Sequence, residues 1–133
     1  MRKILIVFVL LLFILACNKD PEETASLLDA KLEPESIVSG QSSNLIIDAH
    51  NDGDLPLTLR YTISSESPEN VRIQYPEELT FTLQPGETTG NKIIKVVGVS
   101  KTVRTDYLIT VTATDESGET EYEEKDLILS VTS

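Results

Sequence analysis

Leu57-Thr58-Leu59-Arg60-Tyr61-Thr62-Ile63-Ser64 decides the fold. Apolar residues hold every odd position and polar residues every even one. Successive side chains of an extended strand point to opposite faces, so this segment has one apolar and one wet face; a helix would scatter the same residues around its circumference. The segment is therefore a half-buried β-strand.

The same alternation continues on both sides. Leu45, Ile47 and Ala49 oppose Asn44, Asp48 and His50, and Tyr107, Ile109, Val111 and Ala113 oppose Leu108, Thr110, Thr112 and Thr114. Leu127, Leu129 and Val131 form a last inward row. Strands are expected at 26–33, 43–50, 57–64, 71–75, 79–83, 91–99, 106–114 and 122–132, with Gly and Pro falling between them, which is the pattern of an all-β sandwich. Three turns carry their own chemistry. Asn51-Asp52-Gly53-Asp54 offers residues tolerant of positive φ and predicts a hairpin between its flanking strands. Pro85-Gly86 suits a type II turn, with Pro setting φ and Gly in the left-handed position. Asp115-Glu116-Ser117-Gly118 predicts a second hairpin. Asp20-Pro21-Glu22-Glu23 also reads as a helix start, so 21–29 stands as helix or strand.

The N-terminus has a different grammar. Arg2 and Lys3 precede an unbroken apolar run from Ile4 to Ala16, the layout of a secretory signal. As a helix the run would extend about 20 Å, short of a hydrocarbon core of about 30 Å. Ile14-Leu15-Ala16-Cys17 resembles the lipobox of lipoprotein precursors; Ile14 and Ala16 fit, and Leu15 is bulkier than is usual at its position. The resemblance implies cleavage before Cys17, covalent lipid on that residue, and residence at the cell envelope. Asn18 lacks the Asp that marks inner-membrane retention, so in a host with two membranes the outer one is expected. Cys17 is the chain's sole cysteine, so no internal disulfide can form and stability must come from the core. The expected organisation is a signal peptide over 1–16, a lipidated N-terminus and tether over 17–25, and one domain over 26–133.

Glu33-Pro34-Glu35-Ser36-Ile37-Val38-Ser39-Gly40 leading into Leu45-Ile46-Ile47, then His50 to Leu57, then Leu83-Gln84-Pro85-Gly86-Glu87-Thr88, together resemble the immunoglobulin-like or fibronectin-III-like sandwiches of bacterial and archaeal surface proteins, the group that includes CARDB and NEW3 modules. The resemblance implies an immunoglobulin-like antiparallel β-sandwich of seven to eight strands. It also implies a non-catalytic spacer, adhesion or interaction element. Asp106 to Ala113 resembles the penultimate strand of that group, with Tyr107 where a tyrosine corner bonds its hydroxyl back to backbone.

Charge and residue types exclude several activities. The formal net charge is −11, and cleavage before Cys17 would remove two bases and no acids, taking it to −13. Such a field repels phosphate backbones, so nucleic acid is not an expected partner. The only histidine, His50, sits on an outward row, so no nucleophile has a base to activate it. Carboxylate pairs such as Glu77 with Glu78, or Glu121 with Glu123 and Glu124, are unremarkable in so acidic a chain. No enzyme activity and no cofactor beyond the lipid on Cys17 is expected. Asn51, Asp52 and Asp54 concentrate oxygen ligands that could hold Ca²⁺ weakly, although the full calcium loop with its distal Glu is missing. Glycan binding has little support: the chain has no Trp, Phe81, Tyr61 and Tyr107 fall on inward rows, and only Tyr122 and Tyr75 are candidates for exposure. Ile93, Ile94, Val96, Val97 and Val99 are apolar on both faces of one strand, the single hint of a contact patch for an envelope or surface protein partner.

Overall fold

The computed structural model describes residues 22–99 and 105–133, and over them the chain is all-β with no helix. Ile14, Leu15, Ala16 and Cys17 lie outside the described residues. Nine strands form: β1 (Ala25–Glu33), β2 (Ser36–Val38), β3 (Ser42–Asn51), β4 (Leu57–Ser65), β5 (Val71–Gln74), β6 (Thr80–Leu83), β7 (Lys92–Gly98), β8 (Thr105–Asp115) and β9 (Glu121–Thr132). They build a four-stranded sheet, β1-β3-β7-β5, and a five-stranded sheet, β2-β9-β8-β4-β6.

The alternating rows are the core. Leu45, Ile47 and Ala49 of one sheet, and Leu59, Tyr61, Ile63, Ile109, Val111, Leu129 and Val131 of the other, are all buried, while Thr58, Arg60 and Thr62 face outward. Each buried aliphatic side chain contributes about 1.5–3 kcal/mol. With no disulfide available, this layer carries the fold. The ambiguous 21–29 segment is strand from Ala25 onward, because Ala25 and Leu27 bury inward and the backbone pairs with β3 throughout, broken only by a bulge at Leu28. Tertiary pairing overrides the helix-start signal.

Two departures from the expected strand plan matter. The turn at 51–54 is not a hairpin: β3 and β4 belong to different sheets, so the turn carries the chain across the sandwich. Turn chemistry encodes a reversal, not the sheet the next strand will join. The hairpin at 115–118 does form, joining β8 to β9, with Gly118 at φ 82°. The second departure is a ninth strand, β2, which lies parallel to the end of β9. Three residues are too few to show a period.

Both edges of the sandwich are finished by strands that change sheets. At one edge β1 leaves the four-stranded sheet, passes a cis Glu33–Pro34 bond, and becomes β2 of the other sheet. At the opposite edge β5 leaves the four-stranded sheet and, after Tyr75-Pro76-Glu77-Glu78-Leu79, becomes β6. Proline has no N–H to give a ladder, which suits it to the point where pairing must stop. Each switch segment contains one.

Candidate functional site

The loop end, where 52–56, 84–91 and 116–120 gather, is organised by Asn51. Its side chain is fully buried. Nδ2 donates to the carbonyls of Leu55 (2.9 Å) and Leu83 (3.0 Å), and Oδ1 accepts from the Gly53 N–H (2.9 Å). Its backbone pairs with the next crossover: Asn51 N–H donates to Glu87 and Gly86 N–H donates to Asn51. The amide is fully used within the protein, which is what its burial demands. Asn51 therefore ties two sheet-crossing loops together, and its oxygen is not presented to a cation.

Asp52 and Asp54 are exposed. Hydrogen bonds from the Ser26 and His50 side chains hold the Asp52 carboxyl below the usual range, with a smaller contribution from the His50 charge. Among the described residues no group of three or more His, Cys, Asp and Glu is arranged to hold a metal ion. Gly53 has an ordinary negative-side backbone, contrary to the positive φ its turn suggests; its reason is proximity. A Cβ there would collide with the Glu22 carbonyl oxygen. Asp54 N–H donates to that carbonyl at 3.1 Å and Asp52 N–H to Thr24 at 2.9 Å, so the entering chain is pinned along the 52–54 loop. The Pro85-Gly86 turn matches expectation, with Gly86 at φ 80° and Glu87 N–H on the Gln84 carbonyl at 3.0 Å.

Beside this loop lies a hollow of about 450 Å³ lined by Glu23, Thr58, Asp115, Glu116, Ser117 and Tyr122. Asp115 serves the turn: burial raises its proton affinity, but hydrogen bonds from Thr120 N–H, the Ser117 hydroxyl and the N–H groups of Gly118 and Glu119 outweigh this and lower its pKa. Glu121 and Glu124 share the outward face of β9, where a hydrogen bond and repulsion between them raise the Glu124 pKa. Glu123 points the other way and accepts from the Leu27 N–H of β1, bridging the sheets. Glu77 and Glu78 are exposed in the second switch segment. The His50 ring is hydrogen-bonded to Asp52, and among the described residues no hydrogen bond joins it to a hydroxyl.

The aromatic residues differ in how far they are exposed. Tyr107 is buried, and Tyr75 is a tyrosine that bonds back to backbone, its hydroxyl donating to the Ile63 carbonyl at 2.6 Å. Tyr122 is half-buried while Tyr75 is 58 % exposed. Tyr61 is buried against Phe81, and its hydroxyl meets Thr89 Oγ1 at 2.8 Å. Burial, opposed in part by that hydrogen bond, pushes its pKa up to about 12. On β7, Ile94 and Val96 face the core while Ile93 is exposed on the outer face with Val97 half-buried beside it, so one face of that strand is open.

The second concavity was not foreseen from the sequence. A notch of about 370 Å³ opens where β4 outruns β6, lined by Arg60, Tyr61, Thr62, Ile63, Tyr75 and Leu79. Even-numbered residues of β4 turn their backbone groups to β8, and odd-numbered ones turn them to the β6 side. β6 pairs only as far as Arg60; beyond it, Leu79 accepts from Tyr61 N–H and Tyr75 caps the Ile63 carbonyl. The Tyr61 carbonyl and the Ile63 N–H are left facing the notch without a partner among the described residues. Arg60, at its border, is in no salt bridge among them.

No protein-family model and no curated protein matches the chain. Solved structures do. A crystal structure of Escherichia coli alpha-2-macroglobulin, from domain MG7 to the C-terminus, matches with TM-score 0.61 and 24 % identity over 82 % of this chain and 17 % of that one. The CARDB domain of the Pyrococcus furiosus PF1109 protein, solved with di-metal ions, matches with TM-score 0.58 and 14 % identity over 84 % of this chain and 94 % of that domain. Domains 4 and 5 of the S-layer protein SbsC match with TM-score 0.53 and 16 % identity over 86 % of this chain and 54 % of that one. These likenesses define the class: an immunoglobulin-like β-sandwich, among whose relatives in shape is a CARDB domain. This chain spans only a small part of the alpha-2-macroglobulin chain it matches.

Proposed function

We propose that the chain is an exported, non-catalytic lipoprotein, anchored through lipid on Cys17, that presents its sandwich as an interaction or structural module to a protein of the cell envelope. The observation that carries this reading is where the chain enters the fold. Glu22 to Thr24 are pinned to the loop end, and the stretch from Cys17 to Glu22 reaches about 17 Å at most. The lipid therefore holds the domain close to the membrane by its loop end, and the opposite end and the two edges face outward. Asp52, Asp54, Asp115, Glu116 and Glu119 cluster at the anchored end; their charge repels anionic headgroups and keeps the sandwich standing off the surface. A mechanism of recruitment needs only this placement. Similar sandwiches occurring as parts of larger proteins support a module role over a self-contained activity.

The test is metabolic labelling with radioactive palmitate in a bacterial host, followed by membrane fractionation. The unaltered chain is expected to carry label and sediment with membranes, and Cys17→Ser to lose both. Label-free, soluble unaltered protein would overturn the anchor.

A further inference from the structure

The notch at the end of β4 has the parts of a strand-docking site. A strand edge recognises another extended chain through its alternating N–H and C=O groups, and pockets for neighbouring side chains then give specificity. Here the Tyr61 carbonyl and Ile63 N–H form one acceptor–donor pair, spaced to receive one residue of an extended chain. Folded proteins rarely leave such groups unpaired unless solvent or a partner reaches them. The side walls are specific. Tyr75 is largely exposed, yet its hydroxyl is tied to the Ile63 carbonyl, so the ring is held in one place and offers its surface without losing freedom on binding. Leu79 supplies apolar surface on the other side. Arg60 stands at the border without a carboxylate partner among the described residues, although the chain has twice as many acids as bases. A bare guanidinium beside an open strand edge selects for a carboxylate.

We propose that this notch docks a short extended segment of a protein partner bearing an acidic residue: its backbone pairs with Tyr61 and Ile63, an apolar side chain lies between Tyr75 and Leu79, and its carboxylate meets Arg60. This assigns the contact surface of the module described above and rests on that reading. A second copy of the chain is disfavoured as occupant by the net charge of −11 that both copies would carry.

The test follows the amides of the isotope-labelled full-length chain in detergent by NMR. The probes are blocked heptapeptides alternating valine and threonine around a central glutamate, glutamine or lysine, with a neutral glucan oligomer and an oligogalacturonate as non-peptide probes. The glutamate peptide is expected to shift the Ile63 amide and slow its exchange. It should bind about threefold tighter than the glutamine peptide, the size of an exposed ion pair, with lysine weakest. Arg60→Gln should level glutamate and glutamine while leaving the fold intact. The proposal is overturned if no peptide moves Ile63, if glutamine or lysine binds as tightly as glutamate, if only a saccharide perturbs Tyr75, or if Ile63 shifts with protein concentration alone. Peptide binding is read whether or not Cys17 carries lipid, so failure here leaves the anchor standing and failure of the anchor leaves this site standing.

Discussion

The two edges of the sandwich solve one problem with opposite results. At the β1–β2 edge the switch is short: Glu35 already accepts from Ser130 N–H at 2.9 Å, Ser39 N–H reaches Thr132, and the Ser43 hydroxyl bonds the Pro34 carbonyl from a buried position. Ile37 then buries between the sheets near Gly98 and Val131. At the β5–β6 edge the switch is longer, Gln74 to Thr80, and β6 begins only opposite Arg60, so the rest of β4 is covered by single contacts from Leu79 and Tyr75. Exposed strand edges invite pairing, and proteins blunt them with short strands, prolines and charges. The first edge is sealed by a strand where β2 meets Ser130–Thr132 at the end of β9; the second is patched by side chains and leaves the Tyr61 carbonyl and the Ile63 N–H open. The length of the switch segment makes the difference.

Breaking the sealed edge should cost most. Ile37→Ala removes a buried side chain that holds β2 in place and is expected to lower stability by about 2–5 kcal/mol, measured by chemical denaturation, with exchange of the Ser130 amide rising alongside. Tyr75→Phe on the open edge should cost only about 0.5–1.5 kcal/mol, the net value of one hydrogen bond, because the ring stays while its tie to Ile63 is lost. Equal losses from the two substitutions would erase the distinction.

The smallest effect is set by pH and separates the acidic pair Glu121 and Glu124 on β9 from the turn carboxylates Asp52 and Asp115. Glu124 has a raised folded pKa, so its repulsion with Glu121 weakens the fold at neutral pH and is relieved as pH falls toward the ordinary value of 4.5. Asp52 and Asp115 have lowered folded pKa values, so their contribution is complete above 3.8 and is lost as pH drops through the lower folded values. Thermal melts across pH should therefore show a shallow maximum between these regions. Glu124→Gln should remove the rise on its neutral side, and persistence of that rise would contradict the assignment.

How much of this was readable beforehand follows from what each feature depends on. The rows of β3, β4, β8 and β9 were legible because burial of one face imposes a period of two. The type II turn at Pro85-Gly86 was legible because only certain residues adopt its angles. The sheet change at 51–54 was not, since the same residues serve a hairpin or a crossover and the choice is made by where β4 finds its partners. Asn51 looked like a turn residue or an oxygen ligand; its burial depends on Leu83, far along the chain. Gly53 was flagged for the wrong reason, because its need is space for Glu22 and not a left-handed angle. The notch left no trace in the strand pattern, since it exists through the absence of pairing where β6 begins late. Tyr75 alone carried a signal, as an aromatic outside the inward rows.

The difference between the edges is tested most directly by native-state hydrogen exchange at two amides. Both belong to edge positions of the same five-stranded sheet, one bonded to Glu35 and one facing the notch. The Ser130 amide is predicted to exchange only through opening of the β2–β9 pairing and so to be strongly protected. The Ile63 amide, though its side chain is buried, is predicted to exchange at close to the rate of an unstructured peptide. Equal, strong protection at both would contradict the account.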